Sequence, residues 1–171
     1  LLFVPMVLIG IIVKLNSKGP ALFWSQRVGQ NNKLFLMPKF RSMNQNTVHL
    51  ATHLIKDPDS LVTSFGRLIR RFSLDELPQL FSVLRGDMSF VGPRPALFNQ
   101  NDLINLRTER GIEKLLPGIT GWAQVNGRDD LTIEDKVVFD FEYLVKHSFW
   151  LDLKILWLTA LKVILVHGIS H

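Results

Sequence analysis

The feature that most constrains the fold is the apolar run at the start of the chain, LLFVPMVLIGIIV, which closes at Lys14. As a helix it is roughly 20 Å long at about 1.5 Å per residue, short of the roughly 30 Å hydrocarbon core of a bilayer. Pro5 removes a backbone donor and bends such a helix, and a bent helix suits a segment that dips into one leaflet and returns. We therefore predict a membrane re-entrant helix over residues 1–15, truncated at its N-terminus. A buried core helix and a signal peptide are the alternatives, although no basic start or cleavage site supports the latter.

A second apolar stretch, SFWLDLKILWLTALKVILVHG, predicts a helix over residues 149–166 that stops at Gly168. At about 100° per residue, one half of its wheel is apolar. The residues on that half are Phe149, Trp150, Leu153, Leu156, Trp157, Ala160, Leu161, Val163 and Ile164. Two tryptophans beside lysines suit an amphipathic helix at a membrane interface, and an ordinary core helix explains the stripe almost as well.

Composition limits both the class of protein and its partners. The chain is 47% hydrophobic, but its 20% of charged residues exclude a polytopic membrane protein. Its 20 Lys and Arg exceed its 15 Asp and Glu, and the resulting charge of +5 favours nucleic acid, acidic lipid or a phosphorylated small molecule as partner. With no cysteine, disulfides and thiolate metal sites are excluded. The 171 residues fit a single domain, which we place at residues 16–171.

Between the two apolar ends the pattern is mixed. Short apolar runs on either side of Asn31-Asn32 predict a β-hairpin within residues 21–40. Helical patterns cover residues 60–71, 78–84 and 95–110. Since strands are few, we predict a mainly helical α+β fold.

The segment FSLDELPQL, residues 72–80, places Asp75 and Glu76 side by side, directly behind an Arg-Arg pair. Ser73 and Glu76 have the spacing of a capping box, which is a purely structural explanation. Pro78 argues against a regular helix, because its missing N–H breaks a backbone bond and it disfavours the helical conformation of the preceding residue. We expect an irregular turn or a kinked helix start that exposes the two carboxylates.

Adjacent carboxylates do not face each other on a helix, so they do not suit the opposed acid and base of a glycosidase. They can serve one phosphate in two ways, one as a nucleophile on phosphorus and the other as a ligand of Mg2+. Arg94 lies between two prolines in GPRP, and this rigid backbone would let its guanidinium grip a phosphate at little entropic cost. An exposed arginine on a rigid loop is the alternative. Downstream, Gly118, Gly121 and Gly127 would let the backbone approach a ligand closely.

Taken together, these stretches resemble one family, the bacterial sugar transferases that are monotopic polyprenyl-phosphate phosphoglycosyl transferases. The resemblance runs in order through GPALFWSQRVG, PKFRSM, SLDELPQLFSVLRGDMSFVGPRP, PGITGWAQVNGR and DFEYLVKHSFWLDLKIL. It implies transfer of sugar-1-phosphate from a UDP-sugar to undecaprenyl phosphate, with release of UMP. It also implies contact with membrane lipid at the cytoplasmic face of the bacterial inner membrane.

Residue by residue, the resemblance implies that Asp75 is the nucleophile of an aspartyl phosphosugar intermediate and that Glu76 ligates Mg2+. Arg70 and Arg94 would contact substrate phosphates, and Asp140 of DFEYLV is grouped with them as the family's acidic residue in that segment. The chain departs from the family pattern at Val4, where serine often precedes the membrane proline, at Pro38, where an aromatic is common, and at Phe141-Glu142.

Two functions of other classes compete with this interpretation. A non-catalytic, membrane-peripheral binding module for an anionic partner would use the acidic pair only to cap a helix. Nucleic-acid binding is not expected, because acidic residues interrupt the basic clusters. A zinc site at His49 and His53 is not expected either, since the glutamate of the His-Glu-x-x-His motif and a third ligand are missing.

Overall fold

The computed structural model describes residues 3–43, 61–127 and 130–165. Its helices are α1 (Phe3–Asn16), α2 (Ser64–Arg71), α3 (Leu80–Leu84), α4 (Asn101–Glu109), α5 (Trp122–Val125), α6 (Ile133–Lys146) and α7 (Phe149–Leu165). Its strands are β1 (Leu22–Val28), β2 (Leu34–Phe40), β3 (Ser89–Val91) and β4 (Gly118–Thr120), and short 3-10 segments occupy Gln30–Asn32, Leu74–Gln79 and Ile112–Lys114. The predicted α+β class, mainly helical with a small hairpin, is confirmed. His49, His53 and the helix stop at Gly168 lie outside the described residues.

The predicted hairpin forms where the sequence places it. Strands β1 and β2 pair antiparallel, with a register that runs from Leu22 opposite Phe40 to Val28 opposite Leu34. Asn31 and Asn32 turn the chain at φ values of 54° and 58°. Asparagine tolerates this left-handed conformation better than most residues, so the Asn-Asn pair fixes the position of the turn.

The second sheet holds the segment that carries Arg94. Strands β3 and β4 pair parallel, and the Gly92 amide donates to the Thr120 carbonyl at 2.9 Å. A Cβ at Gly118 or Gly121 would collide with the backbone at Gly92. These two glycines therefore allow one chain segment to approach another, where the sequence suggested an approach to a ligand.

Helix α1 packs one edge against the hairpin and α2. Ile9 and Val13 contact Phe40 and Ile69 in a small core. The other side of α1 is apolar and exposed. Pro5 lies within α1, near the start of its described residues, and the re-entrant character of this segment stays a prediction. In the described ranges we find no helix with the length and apolar character needed to cross a bilayer.

Helix α7 turns its predicted apolar half outward. Trp150 is 75% exposed and Trp157 is 66% exposed, whereas Ile155, outside that half, is completely buried beside Tyr143 and Val91. The core-helix interpretation is therefore wrong for the tryptophan face. Helix α7 is anchored through its narrower Ile155 side and leaves the broad apolar face uncovered.

Candidate active site

The acidic pair lies in an irregular turn, as Pro78 predicted. Residues Leu74–Gln79 form a 3-10 segment with Pro78 inside it, entered from Ser73 in the left-handed conformation at φ 54°. The Ser73 side chain makes no capping hydrogen bond; only the backbone amide of Glu76 bonds to the Ser73 carbonyl, at 3.2 Å. The capping box is not formed, so the structural explanation of this motif does not hold.

The two carboxylates are buried, and here the sequence-based expectation of exposure was wrong. Asp75 is 8% exposed and Glu76 is 9% exposed. The 3-10 segment lies between α2 and α3 in sequence and packs against β2 of the hairpin. Burial of two neighbouring carboxylates costs free energy unless cations and hydrogen bonds compensate.

Two cations converge on one oxygen of Glu76. Lys39 on β2 donates from Nζ to Oε1 at 2.8 Å, and Arg94, in the loop after β3, donates from Nη2 to the same atom at 3.0 Å. Burial alone raises the pKa of Glu76, but the charges and hydrogen bonds of Arg94 and Lys39 outweigh burial and hold that pKa well below its ordinary value. Glu76 is therefore an ionised, anchored carboxylate.

Asp75 is shifted in the opposite direction. Burial raises its pKa, the negative charge of Glu76 raises it further, and the charges of Lys39, Arg70 and Arg94 only partly offset this. Adjacent carboxylates with pKa values pushed apart are a common arrangement where two acidic groups have different chemical roles. The charge of Asp75 is the one that a bound cation, or a covalent bond to phosphorus, would relieve.

Arg70 and Arg94 approach the pair from two elements. Arg70 lies in the last turn of α2, where its Nε donates to Ser42 Oγ at 2.9 Å, and its charge acts on Asp75. Arg94 contacts Glu76 directly. The structure thus brings together Asp75, Glu76, Arg70 and Arg94, four of the five predicted site residues.

Asp140 lies behind this cluster. It is 1% exposed on α6, and its Oδ2 accepts from Nε and Nη2 of Arg107 at 3.0 and 2.6 Å. Arg107 in turn donates from Nη1 to the Arg94 carbonyl at 2.9 Å. Burial raises the pKa of Asp140, and the charge of Arg107 opposes this shift. This geometry favours positioning of Arg94 through Arg107, instead of the phosphate contact that was predicted for Asp140.

Sequence reasoning missed Lys39, Arg107 and Arg27 as members of this region. Arg27 donates from Nη1 to the Pro95 carbonyl at 3.2 Å, so Arg27 and Arg107 hold two successive carbonyls of the GPRP loop, those of Pro95 and Arg94. A signal existed for Lys39 alone: alternation along β2 places it on the same face as the buried Met37. A lysine on a core-facing position requires a buried anion as its partner.

The acidic pair provides some, but not all, of the ligands that a Mg2+ ion needs. Mg2+ usually takes one or two protein carboxylates and completes its shell with water and substrate phosphates. Asp75 and Glu76 supply two carboxylates whose mutual repulsion a divalent cation would relieve. Within the described ranges, no cluster of three or more acidic, histidine or cysteine side chains could hold a metal. These residues therefore fit an ion that substrate phosphates help to bind.

Comparison with known proteins assigns the chain to a family. The sequence model of a family described as bacterial sugar transferase matches residues 1–166. The chain belongs to the bacterial sugar transferases. The family was predicted from motifs spread along the whole chain, and it is confirmed.

Three relatives illustrate the range of this bacterial sugar transferase family. The undecaprenyl-phosphate glucose phosphotransferase of Komagataeibacter xylinus is 46% identical over 165 residues, covering 90% of this chain and 31% of that protein. The uncharacterized sugar transferase EpsL of Bacillus subtilis is 45% identical over 163 residues, covering 94% of this chain and 78% of that protein. The UDP-N-acetylgalactosamine-undecaprenyl-phosphate N-acetylgalactosaminephosphotransferase of Aeromonas hydrophila is 41% identical over 177 residues, covering 98% of this chain and 41% of that protein. The chain thus spans less than half the length of the first and third of these relatives.

The contact between Arg107 and Arg94 leads to a prediction on loop positioning. Arg107→Lys keeps a positive charge beside Asp140, but an ammonium cannot make the forked pair and also reach the Arg94 carbonyl. We expect the activity of the chain to fall about 10- to 100-fold, because misplacement of a site residue by about 1 Å has effects of that size. Steady-state kinetics measure the loss of activity, and thermal unfolding shows whether the variant is still folded.

The control for this substitution is Lys146→Met. Like Arg107, Lys146 is a cation paired with a carboxylate of α6, but its i,i+4 ion pair with Glu142 is exposed. Such pairs contribute about 0.3–0.5 kcal/mol, so this variant should retain its activity. Full activity of Arg107→Lys, or a loss no larger than its loss of folded protein, would contradict the positioning role.

Proposed function

We propose that this chain transfers sugar-1-phosphate from a UDP-sugar to undecaprenyl phosphate, releases UMP, and acts through a covalent intermediate on Asp75. The observation that carries the proposal is the buried Asp75–Glu76 pair surrounded by Lys39, Arg70 and Arg94. The printed names of relatives support the substrates, since the K. xylinus and A. hydrophila proteins are named for undecaprenyl phosphate and the latter also for a UDP-sugar.

The proposed reaction has two displacements at one phosphorus atom. A carboxylate oxygen of Asp75 attacks the phosphorus that bears the sugar, and the bond from that phosphorus to the bridging oxygen breaks. UMP leaves with the electron pair of that bond. A phosphate oxygen of undecaprenyl phosphate then attacks the same phosphorus, the Asp75–phosphorus bond breaks, and the carboxylate is regenerated. No net proton transfer is needed.

The surrounding cations explain why two displacements are favourable. Direct attack of one phosphate on another brings anions together, whereas a carboxylate among fixed cations divides the charge repulsion between two steps. Arg94 and Arg70, whose charges both act on Asp75, would bind phosphate oxygens, and Lys39 holds Glu76 ionised and in place. Mg2+, bound by Glu76 and Asp75 together with substrate phosphates, would neutralise charge on the transferred group.

The uncovered apolar faces suggest where the reaction occurs. Contiguous exposed apolar surface of this extent marks an interaction site, and tryptophans near lysines suit the boundary between lipid and water. The exposed side chains are Phe3, Val4, Val7, Leu8, Ile11, Ile12 and Leu15 on α1, and Phe149, Trp150, Leu153, Leu156, Trp157 and Leu161 on α7. We propose that both faces contact lipid on the cytoplasmic side of the inner membrane, with α1 as the re-entrant element.

The test separates the two displacements. Detergent-purified protein is incubated without acceptor with Mg2+ and, separately, with UDP-glucose, UDP-galactose or UDP-N-acetylgalactosamine, the sugars named for relatives. At least one donor should yield an adduct of one sugar phosphate by intact-protein mass spectrometry, with one UMP released per adduct. Adding undecaprenyl phosphate should remove the adduct and form the lipid product, and EDTA should prevent the adduct. Product formation without any adduct, or no reaction with any donor, would overturn the proposal.

A further inference from the structure

A groove of about 230 Å³ opens beside the acidic pair, between the 3-10 segment and α7. Seven of its lining residues are apolar: Leu77, Leu80, Phe90, Ile119, Val125, Leu156 and Val163. Glu76 and Arg94 also line it, so the groove is continuous with the site where phosphorus would be attacked. A ligand in this groove would have its reactive end next to Glu76 and Arg94, the neighbours of Asp75.

Three polar side chains in the walls already have hydrogen-bond partners, and Ser73 and Lys162 complete the polar lining beside Glu76 and Arg94. Thr120 and Thr159 share a hydrogen bond of 2.7 Å between their hydroxyl oxygens, and Thr159 also donates to the Ile155 carbonyl at 2.8 Å. Gln124 donates from Nε2 to the Ile119 carbonyl at 3.3 Å. Among the buried side-chain atoms of the described residues, only Gln124 Oε1 lines the groove without a partner. A sugar or a base would need several such groups, whereas a hydrocarbon chain needs none.

The groove also connects to the outside along apolar side chains. Leu156 lines the groove and belongs to the exposed face of α7, and Phe90 lines it from β3 while remaining more than half exposed. Typical sites for whole small molecules have volumes of about 300–1,000 Å³, so this groove holds only part of a longer ligand. The remainder would continue over Leu156 onto the apolar face of α7.

We propose that this groove binds the phosphate-proximal isoprene units of the prenyl phosphate acceptor. Arg94 provides the cation for the acceptor phosphate, the walls bury the first part of the chain, and the rest of the chain runs along α7 into lipid. This assignment depends on the proposed function, since it names the half of the reaction that the groove serves. It places acceptor recognition on α7, far in sequence from the acidic segment.

The experiment measures the two half-reactions separately in detergent. Val163→Trp fills the groove and should leave adduct formation from UDP-sugar, measured without acceptor, within about twofold of the unmodified chain. It should slow decay of the preformed adduct on adding undecaprenyl phosphate by at least about tenfold, equivalent to about 1.4 kcal/mol in the barrier. Val145→Trp, the same substitution at a position of α6 that is 67% exposed and outside the groove, is the matched control and should change neither rate.

A second variant guards against misfolding of the first. Leu156→Asn alters a side chain already 40% exposed, so the fold should tolerate it, and it places an amide where the chain would leave the groove. It should slow adduct decay and spare adduct formation, with Leu84→Asn, at an 83% exposed leucine outside the groove, as its control. Slowed adduct formation in both groove variants would assign the groove to the sugar donor, and unchanged half-reactions would show that it binds neither substrate. Either outcome overturns the acceptor assignment, whereas absence of any adduct in the unmodified chain overturns the proposed function itself.

Discussion

Asp75→Asn should abolish the covalent adduct and lower turnover by on the order of 10⁴- to 10⁶-fold, because removing a covalent nucleophile has effects of that size. Asparagine has nearly the shape of aspartate but does not form the acyl phosphate. Intact-protein mass spectrometry and UMP release measure the loss. The unmodified chain provides the reference, and a detectable sugar-phosphate adduct on Asp75→Asn would contradict the assignment of the nucleophile.

The same substitution should leave the fold intact. The pKa of Asp75 is raised in the folded chain, so its ionised form lowers stability above that pKa, and this cost disappears as the pH falls below it. Near neutral pH, Asp75→Asn should therefore unfold at the same temperature as the unmodified chain or higher. Loss of turnover in a folded Asp75→Asn variant would indicate an enzyme. A membrane-peripheral binding module would instead keep its whole function, which is binding to anionic vesicles.

Glu76→Gln should have the opposite effect on stability. It leaves Lys39 and Arg94 in a buried site without their shared anion, and breaking a buried ion pair on one side costs about 3–5 kcal/mol. Turnover should be lost as well, since Arg94 loses its anchor and, under the proposed function, Mg2+ would lose a ligand. Denaturant unfolding in the presence of EDTA gives the free energy of unfolding of each variant. Glu76→Gln should lose stability relative to the unmodified chain, whereas Asp75→Asn should not.

The sign of the pH dependence follows from the depressed pKa of Glu76. Its contribution to stability is present above the ordinary pKa of glutamate, about 4.3, and is lost as the pH falls through its lower folded value. The gap between Glu76→Gln and the unmodified chain should thus be full near neutral pH and shrink in acid. Adding Lys39→Met to Glu76→Gln should recover part of the lost stability, because it removes one of the two stranded cations. If Glu76→Gln is as stable as the unmodified chain, the ion-pair account is wrong.

Local sequence rules predicted the features that neighbouring residues control. The hairpin and its Asn31-Asn32 turn, and the irregular segment around Pro78, formed where expected. Steric limits on proline, and asparagine's tolerance of positive φ, act within a few residues and are therefore visible in a sequence. The family could also be predicted from the sequence, because its motifs are spread in order along the chain.

Burial was not predictable in the same way. The sequence suggested exposed carboxylates and a membrane or core face on α7, and it could not choose between the latter two. Lys39 reaches Glu76 across 37 positions, and Arg107 reaches Asp140 across 33. Such pairs depend on which elements pack together. The hydrophobic periodicity of one segment does not show which other segment it packs against.

The sequence by itself determined the class of fold, the place of the acidic pair in an irregular turn and the family of the chain, since these depend on short-range sterics and on motifs in order. Only the tertiary structure decided that the pair is buried and that Glu76 is held ionised by Lys39 and Arg94. It also decided that Asp140 binds Arg107, which in turn donates to the Arg94 carbonyl. The physical reason is that charge and solvation at a site are set by groups that folding brings together from distant parts of the chain.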